Sequence, residues 1–330
     1  MRSGDTQKPM DAPSYSAKEA ADVLGLPLRT LQSALKLEKY SGVDLWAVRH
    51  TLHHFPRPLG HRRQLFLNFK GGTGKTALST SYAWRMAELG YHVLLVDLDS
   101  QGHATKCLGF EGEDFEKTLL NVLVRKAPLD EVIQHSPMPN LDFVPSNLTM
   151  STVDLALMPM SAREFKLKNA LKDVSQRYDA IVFDAPPSFG LLNLNALMAA
   201  DDLFVPVLAD FLSFHGLKLL FETVQSLEED LAHVLDHVFI IVNAFNHSFK
   251  LAKEALEALK THYPEYMLTT LVRQCTKFAQ ASSEGVPVFI ADRDSKGATD
   301  IDSMVTEVLA RIEAARGRGT DGGRDEKKAG

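Results

Sequence analysis

An α/β fold, with a mostly parallel sheet covered by helices on both faces and a small helical segment ahead of it, is predicted for this 330-residue chain by two observations. From Gln64 onward, short continuous runs rich in Val, Ile and Phe alternate with helix-length stretches. That rhythm is the mark of βαβ units, whose strands are buried on both faces. Before Gln64 the spacing is helical, and the two zones are parted by "HFPRPLGHRR", where two prolines and a glycine interrupt it. The expected organisation is a disordered 1–13, a helix-turn-helix-like segment over 14–55, a linker at 56–63, the α/β domain over 64–315 and a disordered Gly-rich charged tail over 316–330.

The strands expected in order are "QLFLNF", "HVLLVDLD", "LDFVPS", "AIVFDAP", "DLFVPVLA" and "VFIIVNAF", with helices over Ala77–Leu89 and Ser161–Gln176 among them. Ligands of such sheets bind at the carboxyl ends of the strands. Composition narrows the class. Hydrophobic residues make up 45% of the chain, no apolar run approaches the ~18 residues of a membrane span, and "MRSGDTQKPMDAPS" lacks the apolar stretch of a signal peptide. A cytoplasmic protein is expected. Cys107 and Cys275 lack the spacing of a zinc or redox motif and read as packed thiols. His50, His53 and His54 have no neighbouring Cys or carboxylate to complete a metal site and read as surface or packed residues. Net charge is −6, but residues 1–63 hold 10 Lys+Arg against 6 Asp+Glu, so the front is basic and the remainder acidic.

"LNFKGGTGKTALS" places a glycine loop between a strand and a helix. Gly71, Gly72 and Gly74 let the backbone curl so that its N–H groups face phosphate oxygens, and the helix N-terminus adds positive partial charge. Lys75 is placed to reach β- and γ-phosphates and the Thr76 hydroxyl to ligate Mg²⁺. The ordinary motif has Gly five positions before Gly74; here Phe69 stands there, followed by a second lysine, Lys70. "YDAIVFDAPP" delivers Asp184 to the sheet's carboxyl edge as a metal-holding carboxylate, and "VLLVDLDSQGHAT" sends Asp97 and Asp99 the same way.

"KGGTGKT", "VDLDSQGHAT" and "FDAPPS", in this order, resemble the deviant Walker motifs of the ParA/MinD ATPases over most of residues 64–312. "NLDFVPSNLTMS", "VPVLADFLSFHGL" and "TKFAQASSEGVPVFIADRDSKGATDIDSM" resemble ParA partition ATPases in particular. The resemblance implies a P-loop NTPase with ATP and Mg²⁺ as cofactors. It implies nucleotide contacts from Gly71, Gly72, Thr73, Gly74, Lys75, Thr76, Ala77 and Asn243, and metal contacts from Thr76, Asp97 and Asp184. Catalytic roles fall to Lys70, Lys75 and Asp99: Lys70 is the signature lysine that crosses an ATP sandwich dimer to the other subunit's nucleotide, and Asp99 orients the attacking water. Phe69, Ser100, His103 and Gln280 stand where relatives usually carry Gln, Pro, Asn and Glu.

Two DNA contacts are expected. "SYSAKEAADVLGLPLRTLQSALKLEKY" has a helix-turn-helix pattern, with Ser16 and Glu19 as a capping box, Ala20, Ala21 and Leu24 as an apolar stripe, and Arg29, Thr30, Gln32, Ser33 and Lys36 on the exposed side of a second helix. It resembles the operator-binding segments of larger ParA proteins and the MerR-like fold, or else serves as a docking hairpin. The resemblance also implies nonspecific binding to nucleoid DNA through Arg273 and Lys277, with Lys250 and Lys253 as weaker candidates. A homodimer, a ParB-like activator, slow stimulated hydrolysis and a nucleoid-associated location follow from it. Three readings compete: a MinD-like membrane cycler, which needs a C-terminal amphipathic helix where Val305, Val308, Leu309 and Ile312 read as core; an iron–sulfur relative, which needs a cysteine after Asp184; and an ATP-gated autorepressor.

Overall fold

Seven strands run in the order β5-β6-β4-β7-β3-β8-β9 across the main sheet of the computed structural model, which describes residues 10, 12–210 and 212–325. They are β3 (Arg62–Phe66), β4 (Val93–Asp97), β5 (Gln134–His135), β6 (Leu141–Val144), β7 (Ala180–Asp184), β8 (Asp202–Leu208) and β9 (His237–Asn243). All neighbours are parallel except β5 against β6. The six expected strands are present with trimmed ends; the edge strand β5, two residues long, carries no sequence signal. Pairing begins at Arg62, inside the expected linker, because Arg62 and Arg63 are neutralised by Asp202 and Asp201 at the head of β8.

A pair of short strands, β1 (Ser14–Ser16) and β2 (Lys39–Ser41), joins the N-terminal helices α1 (Ala17–Leu24), α2 (Leu28–Ala34) and α3 (Gly42–Leu52) into one module. Ser16 and Glu19 form the expected capping box, and Ser41 with Asp44 forms a second at α3. Gly25 ends α1 in the left-handed conformation, which a side chain would strain, so the chain turns sharply into α2. Lys36 lies two residues beyond the end of α2, off the helix on which the sequence places it.

Helices then follow the strands: α4 (Lys75–Glu88), α5 (His103–Lys106), α6 (Leu119–Leu123), α7 (Val153–Leu157), α8 (Lys166–Ala170), α9 (Leu191–Ala199), α10 (Leu212–Leu231), α11 (Lys250–His262), α12 (Thr276–Glu284), α13 (Val288–Ala291) and α14 (Lys296–Asp325). Two apolar cores lie on the two faces of the sheet. The helix expected over Ser161–Gln176 is broken into a 3-10 turn at Arg163–Phe165, α8, and a second 3-10 turn at Ser175–Arg177. The buried Asn195 amide explains part of this: it accepts from Leu167 N–H and donates to the Arg163 carbonyl, taking the place of helical partners. Helix α14 continues past Arg316, where the tail is expected to begin, and the Arg316 guanidinium donates to the Pro58 carbonyl. Residues 1–9, 11 and 326–330 of the two expected disordered ends lie outside the described residues.

The N-terminal module is clamped to the far end of α4. The fully buried Glu88 carboxylate accepts from Tyr15 Oη at 3.0 Å, Trp84 Nε1 at 3.1 Å and Arg85 Nη1 at 3.1 Å, and also from Arg293. Arg49, buried in α3, donates to the Glu88 carbonyl at 2.8 Å. Fourteen residues of α4 span about 21 Å, so the module sits at the pole opposite the glycine loop.

Candidate nucleotide site

β3 ends at Phe66, and the loop that follows enters α4 at Lys75. Gly72 and Gly74 adopt φ of 74° and 89°, and a Cβ on Gly74 would meet the Asn243 amide nitrogen at 2.1 Å. That amide donates to the Thr73 carbonyl at 2.8 Å, so β9 braces the loop through Asn243. On the other side Asn68 accepts from Lys70 N–H and donates to the Pro206 carbonyl, tying the loop's first turn to β8. No added Cβ at Gly71 or Gly72 would meet an atom within 4 Å, leaving an open cradle. The first-turn N–H groups of α4 have no helical acceptors, which suits a chain of phosphates.

Lys75 is buried with its ammonium 3.3 Å from the Lys70 carbonyl. Burial lowers its pKa, while Asp184 and Asp99 pull it back up. β4 and β7 pair in register with Asp97 beside Asp184, so two buried carboxylates stand at one level at the sheet's carboxyl edge. Asp184 accepts from Thr76 Oγ1 at 2.7 Å and Ser79 Oγ at 2.9 Å. Asp97 accepts from Thr105 N and Oγ1 and from Asp99 N–H. Burial raises both acids, and Asp184 raises Asp97 further. Two buried acids held by hydroxyls and N–H groups, next to a helix-opening threonine, form a hard-oxygen donor set that fits a magnesium ion. Asp99 follows, half-buried, accepting from Gln101 N–H. Among the described residues no group of three His, Cys, Asp or Glu is arranged to hold a metal by itself. His50 and His54 instead edge onto Trp46 and bond the Leu24 carbonyl, respectively.

The family profile described as an AAA domain matches residues 64–237. The chain is 74% identical over 306 residues to the cell division protein PomZ of Myxococcus xanthus, covering 93% of this chain and 96% of that one. It is 34% identical over 243 residues to the sporulation initiation inhibitor protein Soj of Bacillus subtilis, covering 74% and 96%. The chain belongs to the ParA/MinD family of P-loop ATPases. The fold agrees: the structure of an ATP complex of a Cyanothece McdA variant superposes with a TM-score of 0.67 at 22% identity, covering 78% of this chain and 96% of that one.

In this ParA/MinD ATPase the glycine loop, Lys75, Thr76, Asp97 and Asp184 converge as the sequence predicts. Ala77 lies one residue further along α4, and Lys70 is on the rim, where its ammonium meets Asp210 at 2.7 Å. The DNA candidates are dispersed. Arg273 is committed to Asp300, with Nη2 to Oδ1 at 2.7 Å and its own N–H to Oδ2 at 2.8 Å, so its charge is neutralised. Lys277 contacts Asp292 at 3.2 Å and Gln280 at 3.0 Å. Arg29 is exposed on α2, and Lys36 is exposed beyond it. Val305, Val308 and Ile312 of α14 are buried in the core, which removes them as a membrane-binding face. No helix among the described residues is long and apolar enough to cross a membrane. Cys107 is buried, its thiol pushed up to about 12 by desolvation. Sequence reasoning missed Asn68, Ser79, Thr105 and Asp210. Only Ser79 left a signal, one helical turn after Thr76 on the same face.

Proposed function

We propose that this chain is an ATPase that forms an ATP sandwich dimer, binds DNA nonspecifically in that state, and is released when a ParB-like partner stimulates hydrolysis, so that an intracellular cargo is positioned. The observation that carries this is Lys70. The loop already has its phosphate lysine in Lys75, buried within its own chain, while Lys70 stands partly exposed at the mouth, its ammonium held by Asp210. A cation so placed is available to a nucleotide other than its own, where it stabilises charge developing during phosphoryl transfer.

In this reading Gly71 to Ala77 cradle the triphosphate, and Thr76, Asp97 and Asp184 would hold Mg²⁺, which would supply positive charge to neutralise the phosphates. Asp99 orients the water, and Asn243 keeps the loop curled. The 390 Å³ cavity lined by Phe245, Asn246, Arg273 and Gln274 begins two residues after Asn243 in the chain and suits the base. ATP and magnesium as cofactors are supported by related structures that carry an ATP analogue and magnesium. The PomZ likeness directs the cargo toward cell division. For DNA, Lys277 is the favoured phosphate contact, with Lys250 and Lys253 as weaker candidates, while the Arg273 charge is already taken by Asp300.

The test is duplex-DNA binding by the wild type and Lys70→Ala with ADP, ATP or no nucleotide, alongside ATPase rates with and without DNA. Binding that requires ATP and disappears in Lys70→Ala is expected. Binding indifferent to nucleotide would refute the cycle and shift DNA contact to the N-terminal module.

A further inference from the structure

We propose that Thr105 is a positioning residue for ATP hydrolysis, a deepening that rests on the ATPase reading: its hydroxyl fixes one oxygen of Asp97 and so holds the segment that carries Asp99. Thr105 lies on α5, eight residues after Asp97, and each is 1% exposed. Its backbone N–H and its Oγ1 both donate to Asp97 Oδ2, at 2.8 and 2.7 Å. The same hydroxyl accepts from the N–H of Ser146, just beyond β6, at 3.0 Å. An N–H can only donate, so the single hydroxyl proton of Thr105 is committed to the carboxylate.

Asp97 is thereby given two unlike oxygens. Oδ2 receives two donors and is filled, whereas Oδ1 receives one from the described residues, the Asp99 N–H at 3.1 Å. A carboxylate oxygen accepts twice, so Oδ1 is the oxygen left for a metal ion or its water. The segment between is clasped by the same carboxylate at both ends, through Asp99 N–H and through Thr105. Gly102, at φ 62°, lets it lie flat against the Ser146 backbone, where a Cβ would come within 2.8 Å of the carbonyl oxygen. Hydrogen bonds to an ionised acceptor are the strong ones, and this one has no water to replace it. Without the hydroxyl, Ser146 N–H is stranded and Asp97 is free to turn, which carries the Asp99 backbone with it.

Single-turnover and steady-state ATP hydrolysis by the full-length chain test this. The wild type is compared with Thr105→Val, which removes the hydroxyl, and Thr105→Ser, which removes the methyl group. Thr105→Ala takes the place of the valine variant if that one does not fold. Hydrogen exchange over residues 98–106 without nucleotide gives a readout independent of turnover. Thr105→Val is expected to lose about tenfold to a hundredfold in kcat, with KM for ATP unchanged because the glycine loop and Lys75 are untouched, and to exchange faster over this segment. Thr105→Ser should restore most of the rate and the protection. A valine variant that turns over and exchanges as the wild type does overturns the inference. So does a serine variant that loses as much as valine, which would assign the effect to packing of the methyl group. A wild type that does not hydrolyse ATP overturns the ATPase reading, and this inference with it.

Discussion

Replacing Glu88 by Gln tests whether the N-terminal module and the ATPase domain are one cooperative unit. The carboxylate is fully buried and receives Tyr15 from the module, Trp84 and Arg85 from α4, and Arg293 from the loop after α13. A glutamine oxygen at the Oε1 position still accepts from Tyr15, Trp84 and Arg293, but the new NH₂ at the Oε2 position faces the buried Arg85 guanidinium, and both arginines lose the opposing charge. Arg85 retains Asp302 at 2.6 Å; Arg293 has no second carboxylate at ion-pair distance among the described residues. Breaking a buried ion pair from one side costs about 3–5 kcal/mol, and the partner left to Arg85 places this variant at the lower end, about 3 kcal/mol. Tyr15→Phe removes a single hydrogen bond to a charged acceptor and should cost about 1.5 kcal/mol. The assay is urea unfolding followed by fluorescence, since the chain has two tryptophans, Trp46 in the module and Trp84 in α4. Trp46→Phe and Trp84→Phe versions separate the two signals. Glu88→Gln should lower both transitions together while nucleotide affinity is kept, the loop being at the other end of α4. A loss below about 1 kcal/mol, or a Trp46 transition that precedes the Trp84 transition in the wild type, would refute the clamp.

Asp97 and Asp184 are held above their ordinary values by burial, so without nucleotide the native state keeps protons that unfolded carboxylates release above about pH 4. That contribution to stability is lost as pH rises through the raised native values; Asp184→Asn should flatten the fall in melting temperature from weakly acidic to weakly alkaline pH, and an unchanged slope would sink the assignment. Asp210→Asn frees Lys70 from a half-exposed pair worth at most about 1 kcal/mol and should strengthen ATP-dependent self-association up to about fivefold, read by sedimentation equilibrium; weakening would show that Asp210 helps the dimer. Arg273→Ala strands the mostly buried Asp300 and should cost about 2 kcal/mol of stability. Lys277→Ala should instead leave stability intact and reduce DNA retention with a shallower salt dependence; equal retention across salt concentrations would remove Lys277 from the DNA surface.

The nucleotide site was legible because its parts are local. A glycine loop between an apolar strand and a helix, and an aspartate closing each of two buried strands, need only a few residues of context, and parallel pairing then brings Asp97 beside Asp184. The six main strands were legible for the same reason, through their unbroken apolar runs. The short edge strand β5 was not, since two residues show no periodicity, and the break in the helix expected over Ser161–Gln176 depends on Asn195, an amide on another helix.

The sequence by itself determined the P-loop chemistry and the α/β architecture, because backbone curvature, metal-ligand type and burial pattern are properties of short segments. Only the tertiary structure decided which charges are free. Lys70 and Asp210 are 140 residues apart, Arg293 and Glu88 are 205 apart, and Arg273 and Asp300 are 27 apart. A cation's availability to DNA or to another subunit's nucleotide is set by whether folding seats a carboxylate against it. Such long-range pairing is decided by packing, which no local pattern encodes.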